Sequence, residues 1–156
     1  MSESPLISPR SPSYARAREE LRHPSPTGDP EVVAVLARLS EAEENARRGC
    51  ARLAGIVGDE TLAEELRDDA STHQARREAL VELIEALGGS APRPEECRVI
   101  LRDADEAVAS ARSEADAVAA RGLIRTGLRA VYAEALRGPR LDEAQRAAIG
   151  ALGPEE

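Results

Sequence analysis

Two polar residues interrupt the apolar stripes of this chain, and their types and spacing are what could do chemistry. Alternate steps of four and three from Val32 give Val32, Leu36, Leu39, Glu43, Ala46, Cys50, Leu53 and Val57, apolar or small everywhere but Glu43. A second stripe reads Leu62, Leu66, Asp69 or Ala70, His73, Arg76 or Arg77, Leu80, Leu83 or Ile84, and Leu87, apolar at both ends and polar in the middle. A carboxylate and an imidazole in such positions must be paired, hydrated or metal-bound, because an unpaired buried charge is strongly unfavourable. As a metal site they suit iron, manganese or zinc. As a structural pair they form one hydrogen bond, with Arg77 or water satisfying the remaining atoms. Rotating the first stripe would instead bring Ala42 inward and leave Glu43 at the surface. Asp69, one turn before His73, reaches the same level from the border of its stripe. Glu43, Asp69 and His73 are therefore the candidate metal ligands.

The elements that must position these groups read as helices. Alanine is the commonest residue, 29 against 16 leucines, and prolines are absent from 31 to 91 and from 95 to 138. A first helix is expected over about 31–57, with Pro30 suited to its first turn. A second is expected over about 60–87, with Asp59 as N-cap and Gly88-Gly89 as its stop. Each is roughly 40 Å long at 1.5 Å per residue, and the Gly58-Asp59 connection makes them antiparallel. Their midpoints then face each other, which sets Glu43 and His73 at one level. A third helix starts near Pro94, with the stripe Cys97, Leu101, Ala104 and Val108. Ser113, followed by Asp116, reads as the N-cap of a fourth, with a turn near 109–112 and a turn at 120–122 as the alternative. The fourth helix carries Ala117, Ile124, Leu128, Val131 and Ala135 and stops at Gly138-Pro139. A short fifth follows from Leu141 to Leu152. The fold class is all-α: an antiparallel four-helix bundle over 31–153 with a short C-terminal fifth helix. Residues 1–30, with six of the ten prolines and four Ser-Pro dipeptides, read as a disordered Ser/Pro-rich tail.

Composition narrows the function classes. All 21 bases are arginine, so a lysine nucleophile is excluded. The tail holds four acids and four arginines, so the formal net charge of -8 lies on the rest of the chain. An acidic folded region with almost no aromatic residues opposes nucleic-acid binding. The sequence contains no phosphate-cradling glycine loop, nucleophile elbow, zinc spacing or HExxH motif. No apolar run reaches the ~20 residues of a membrane span. Cys50 and Cys97 fall on apolar stripes of parallel helices at levels on the order of 24 Å apart, beyond the ~7 Å a disulfide allows. Two buried free thiols and a cytoplasmic location are expected. Cys50 and His73, about two turns apart in level, make a poor nucleophile pair.

Residues 73–89, His-Gln-Ala-Arg-Arg-Glu-Ala-Leu-Val-Glu-Leu-Ile-Glu-Ala-Leu-Gly-Gly, resemble the second helix of ferritin-like proteins, and Ser-Glu-Ala-Glu-Glu at 40–44 resembles the matching carboxylate helix. Over about 31–150, including Val131-Tyr132-Ala133-Glu134-Ala135-Leu136, the chain is similar to a bacterial ferritin-like four-helix-bundle family of unknown function. That resemblance implies a bundle with metal ligands in its core. The ligand set is depleted, however. A ferritin-like di-metal site takes Glu from two helices and Glu-x-x-His from two others. Here Ala70 stands three before His73, the fourth helix has no His, and the stripe of the third carries no carboxylate.

These observations lead to two expectations. The first is a non-enzymatic ferritin-like bundle that acts by assembly, as a homo-oligomer or with a protein partner, with Glu43 and His73 as a structural or vestigial pair and no cofactor. The second is an iron-, manganese- or zinc-binding protein in which Glu43, Asp69 and His73 form a half-site completed by a second protomer or by the third helix.

Overall fold

The computed structural model describes residues 29–138 and 140–154, so nearly all of the expected tail lies outside the described residues. The described chain is all-helical. It contains α1 (Pro30–Ala54), α2 (Glu60–Ala86), a 3-10 turn (Pro94–Glu96), α3 (Arg102–Ser110), α4 (Glu114–Leu136) and α5 (Glu143–Leu152). No helix among the described residues is long and apolar enough to cross a membrane.

The helix boundaries follow local chemistry. Pro30 opens α1, where a missing N–H costs nothing, and Asp29 caps it by accepting from the Glu31 N–H at 2.8 Å. Asp59 caps α2 by accepting from the Thr61 and Leu62 N–H groups. Ser113 accepts from the Asp116 N–H at 3.1 Å, which places the turn before α4 at 111–113. Gly88, at φ +82°, turns the chain out of α2 in a conformation that only glycine adopts at no steric cost. Asp142 and Gln145 form a capping box at the start of α5.

Two expected boundaries shift. α1 ends at Ala54 rather than 57, because Gly55 takes over the terminal hydrogen bonds. The third helix begins at Arg102 rather than near Pro94. Pro92 and Pro94 each remove a backbone donor, and after the 3-10 turn closes at Cys97 the chain from 98 to 100 runs without helical hydrogen bonds until Leu101 N-caps α3. Cys97 therefore lies on an extended strap rather than on a helix stripe. It is half-buried where full burial was expected.

α1 is the hub of the packing. It contacts α2, α3 and α4, while α5 packs on α4. Gly89 beside Val33 and the 55–59 connection make α2 antiparallel to α1. The pairs Arg38–Glu134, Glu43–Tyr132 and Gly49–Ile124 run α4 antiparallel as well. Asn45 bonds to Leu101 and Gly49 meets Val108, so α3 is parallel to α1. A Cβ on Gly49 would stand 3.0 Å from Ile124 Cδ1 and 3.3 Å from Val108 Cγ2, so glycine lets three helices approach closely.

Because neighbours surround it, α1 is buried around its whole circumference at mid-length: Leu39, Ser40, Glu41, Ala42, Glu43 and Glu44 are all buried in succession. A surface helix would bury only one stripe. Leu39, fully enclosed at this level, has no side free to collapse into. Leu39→Ala should cost about 3 kcal/mol, within the range for enclosed leucines. Urea unfolding followed by circular dichroism would measure it.

Candidate functional site

The buried mid-section of α1 carries three carboxylates, and each is met by a different part of the chain. Glu43 is fully enclosed. Its Oε1 lies 2.9 Å from His73 Nδ1 on α2, and its Oε2 accepts from the Tyr132 hydroxyl on α4 at 2.6 Å. Arg76 Nη1, on α2 one turn after His73, stands 3.6 Å from the same Oε2. A carboxylate only accepts, so Nδ1 is the nitrogen that carries the proton and donates. Both oxygens are thus occupied by short hydrogen bonds, with a buried guanidinium alongside as counter-charge.

Glu41 accepts from Arg98 three ways: the backbone N–H at 3.0 Å, Nε at 3.1 Å and Nη2 at 2.8 Å. Glu44 accepts from Arg47 Nε at 3.0 Å and Nη2 at 2.7 Å, and from Arg48 Nε at 2.9 Å. Arg77 lies 3.9 Å from it. Glu44–Arg48 is the helix pair that i,i+4 spacing leads one to expect. The parallel expectation of Glu43–Arg47 does not hold: Arg47 turns to Glu44, because Glu43 faces α2 and α4.

Of the three candidate ligands, Glu43 and His73 come together and Asp69 does not join them. Asp69 Oδ2 accepts from Arg121 Nε at 2.7 Å, with Arg125 at 3.9 Å. Arg121 also donates to Glu65 Oε1 at 2.9 Å, tying α2 to α4. Ala42 and Glu43 are both buried, so the question of which one turns inward is resolved by enclosure on all sides. Arg76, rather than Arg77, supplies the charge beside Glu43. Among the described residues no group of three or more His, Cys, Asp or Glu side chains could hold a metal ion. Glu43 has each oxygen engaged by a donor from a neighbouring helix, and the cation beside it opposes a second one.

The sequence did not point to Tyr132, Glu41, Arg98 and Arg121 as members of these networks, nor to the burial of Glu44. For Tyr132 a signal exists: one aromatic beside Val131 on the apolar stripe of α4, with a hydroxyl that needs a partner when buried. For the burial of Glu41 and Glu44 none exists, since helical periodicity assigns them to the solvent face.

Protonation behaviour follows from these contacts. Burial pushes the Tyr132 phenol well above its ordinary 10.0, with the charge of Glu43 adding to it, so the hydroxyl remains a donor. Burial pushes the Cys50 thiol up to about 12, with Asp69 contributing, which makes it inert; burial raises Cys97 too. At Glu44 the hydrogen bond from Arg47 outweighs burial and holds the carboxyl below its ordinary 4.5. Burial would raise Glu41, but the Arg98 hydrogen bonds and charge overcome it and the net shift is downward.

No family model matches the chain, and neither the curated proteins nor the solved structures yield a match.

Two outcomes are expected here. Tyr132→Phe, which strips one donor from a buried carboxylate, should lose about 1–3 kcal/mol in urea unfolding. Glu43→Ala, which leaves Arg76 and His73 without their acceptor, should lose more, about 3–5 kcal/mol. The lowered values at Glu41 and Glu44 mean that these carboxylates bind protons more readily unfolded than folded. Their stabilisation is therefore complete above the unfolded value of 4.5 and is lost as pH falls through the folded values. Urea unfolding at about pH 6 and about pH 3.5 should show Glu44→Gln losing less on acidification than the parent chain.

Proposed function

We propose that the chain is a ferritin-like four-helix bundle, α1 to α4 with α5 appended, that acts by assembly or partner binding rather than by chemistry of its own. The observation that carries this reading is that each oxygen of Glu43 is already engaged by a donor of the fold, with a buried guanidinium beside them. Here both oxygens are committed to His73 and Tyr132, and Arg76 stands against them. Asp69, the third candidate ligand, is committed to Arg121. Further support comes from the helix directions, α2 and α4 antiparallel to α1 and α3 parallel to it, as an up-and-down bundle requires. The core pair is then a structural remnant of a ligand set, kept because each member is satisfied.

The metal-binding reading is the outcome against which this one is tested. In it Glu43, Asp69 and His73 would have to release Tyr132 and Arg121 and gain further ligands from a second protomer.

The experiment is light scattering and crosslinking of the purified protein, with elemental analysis after anaerobic loading with iron, manganese and zinc, beside His73→Ala. A mass above that of one 16.6 kDa chain, with no metal dependent on His73, is the expected result. Metal near one per chain or per pair of chains that disappears in His73→Ala would replace this reading with the metal-binding one. A strict monomer that captures no partner would overturn it.

A further inference from the structure

Between α2 and α3 the chain crosses α1 as a strap, residues 90–100, in which no residue is buried. Its only apolar footing is Ala91 and Ile100, each partly buried against the core. What holds it is a row of polar side chains. Glu41 binds the backbone N–H and guanidinium of Arg98. Asn45 donates to the Arg98 carbonyl at 3.1 Å and accepts from the Ile100 N–H at 2.6 Å and the Leu101 N–H at 3.2 Å. Arg48 donates to the Pro94 carbonyl, and Arg77 to the Pro92 carbonyl at 2.9 Å.

These contacts amount to a recognition code. Asn45 reads extended backbone through one acceptor and one donor, independent of side chains. Glu41 reads an arginine in bidentate fashion. Positions 41, 45 and 48 lie on one face of α1, so they form a continuous ledge. Elements with few buried apolar contacts open locally at far lower free energy than the core. The strap is bounded by Gly88-Gly89 at one end and by the core-anchored Leu101 at the other.

We propose that the strap detaches as a unit and that the ledge of Glu41, Asn45 and Arg48 beneath it docks an extended segment of a partner protein bearing an arginine followed by apolar residues. The strap occupies the ledge in cis and so blocks it until displaced. This rests on the partner-binding reading above and names the partner's chemistry. The Arg98 side chain is largely exposed and lies outside the core, so Arg98→Ala loosens the strap without substituting a residue of the ledge.

The test uses Cys97 as the reporter of opening and Cys50 as the control for global unfolding. In Arg98→Ala, iodoacetamide should modify Cys97 about tenfold faster than in the parent chain, the scale expected for loss of a charge-assisted bidentate contact. Cys50 should stay unmodified. A fluorescein-labelled peptide of residues 93–101, with serine for Cys97, should bind Arg98→Ala at least about tenfold more tightly than the parent by anisotropy, because the cis competitor is weakened. Binding should vanish when the peptide's Arg98, but not its Arg93, is replaced by alanine, or when Glu41→Gln is added. Arg98→Gln provides a second loosened variant should Arg98→Ala fail to fold. Unchanged Cys97 labelling overturns the proposal, as does fast labelling without peptide binding. A loosened variant that becomes a strap-exchanged dimer overturns it in favour of a second copy as the occupant. Peptide binding by a chain that is monomeric in light scattering would sustain this proposal while removing the assembly half of the broader reading.

Discussion

The structure depends on taking three carboxylates out of water around the waist of one helix. Glu41, Glu43 and Glu44 point to different sides of α1, and each side is covered. No single neighbour can satisfy all three, so the fold recruits a cation or donor from every direction: Arg98 from the strap, His73 and Arg76 from α2, Tyr132 from α4, and Arg47 and Arg48 from α1 itself. Buried ionic groups contribute little net stability but penalise any arrangement that leaves one unpaired. The three acids thus act as a register for the fold. A slip of α2 or α4 by one turn along α1 would separate His73 or Tyr132 from Glu43.

The exclusive use of arginine fits this role. Arg98 grips Glu41, and Arg47 grips Glu44, with two guanidinium nitrogens each, while Arg121 bridges Asp69 and Glu65. A lysine ammonium is a point charge without that planar fork and could not fix direction in the same way. The near absence of aromatic residues acts in the opposite sense. Alanine and glycine at helix contacts, Gly49 above all, bring the helices close and leave little apolar volume for side chains to adjust in. Specific polar contacts carry orientation that bulky side chains would otherwise supply.

Much of this architecture was legible in the sequence. The apolar stripes, the Asp59 and Ser113 caps and the Gly88-Gly89 stop correspond to the helices observed, and the confrontation of Glu43 with His73 follows from helix length and the short Gly-Asp connection. The strap was not legible. Cys97, Leu101, Ala104 and Val108 keep helical spacing, but Pro92 and Pro94 and the side-chain bonds from Glu41 and Asn45 give the backbone a better alternative than helix before Arg102. The burial of Glu41 and Glu44 was equally hidden, since a periodic pattern describes a helix with one partner, and α1 has three. Asp69 was placed at the right level along α2, but its partner is a side chain 52 positions downstream, which spacing within one helix does not reveal.

The central position of α1 has a consequence for how the chain comes together during synthesis. α1 and α2 are adjacent in sequence and can pair as soon as both have left the ribosome, joining Glu43 to His73. The other oxygen of Glu43 waits for Tyr132, 89 residues further along. Until α4 emerges, the nascent hairpin carries a half-satisfied carboxylate and an uncovered apolar flank, the kind of intermediate that chaperones recognise. α4 therefore closes α1 from a distance in sequence, and α1 stands half-covered in the interval between them.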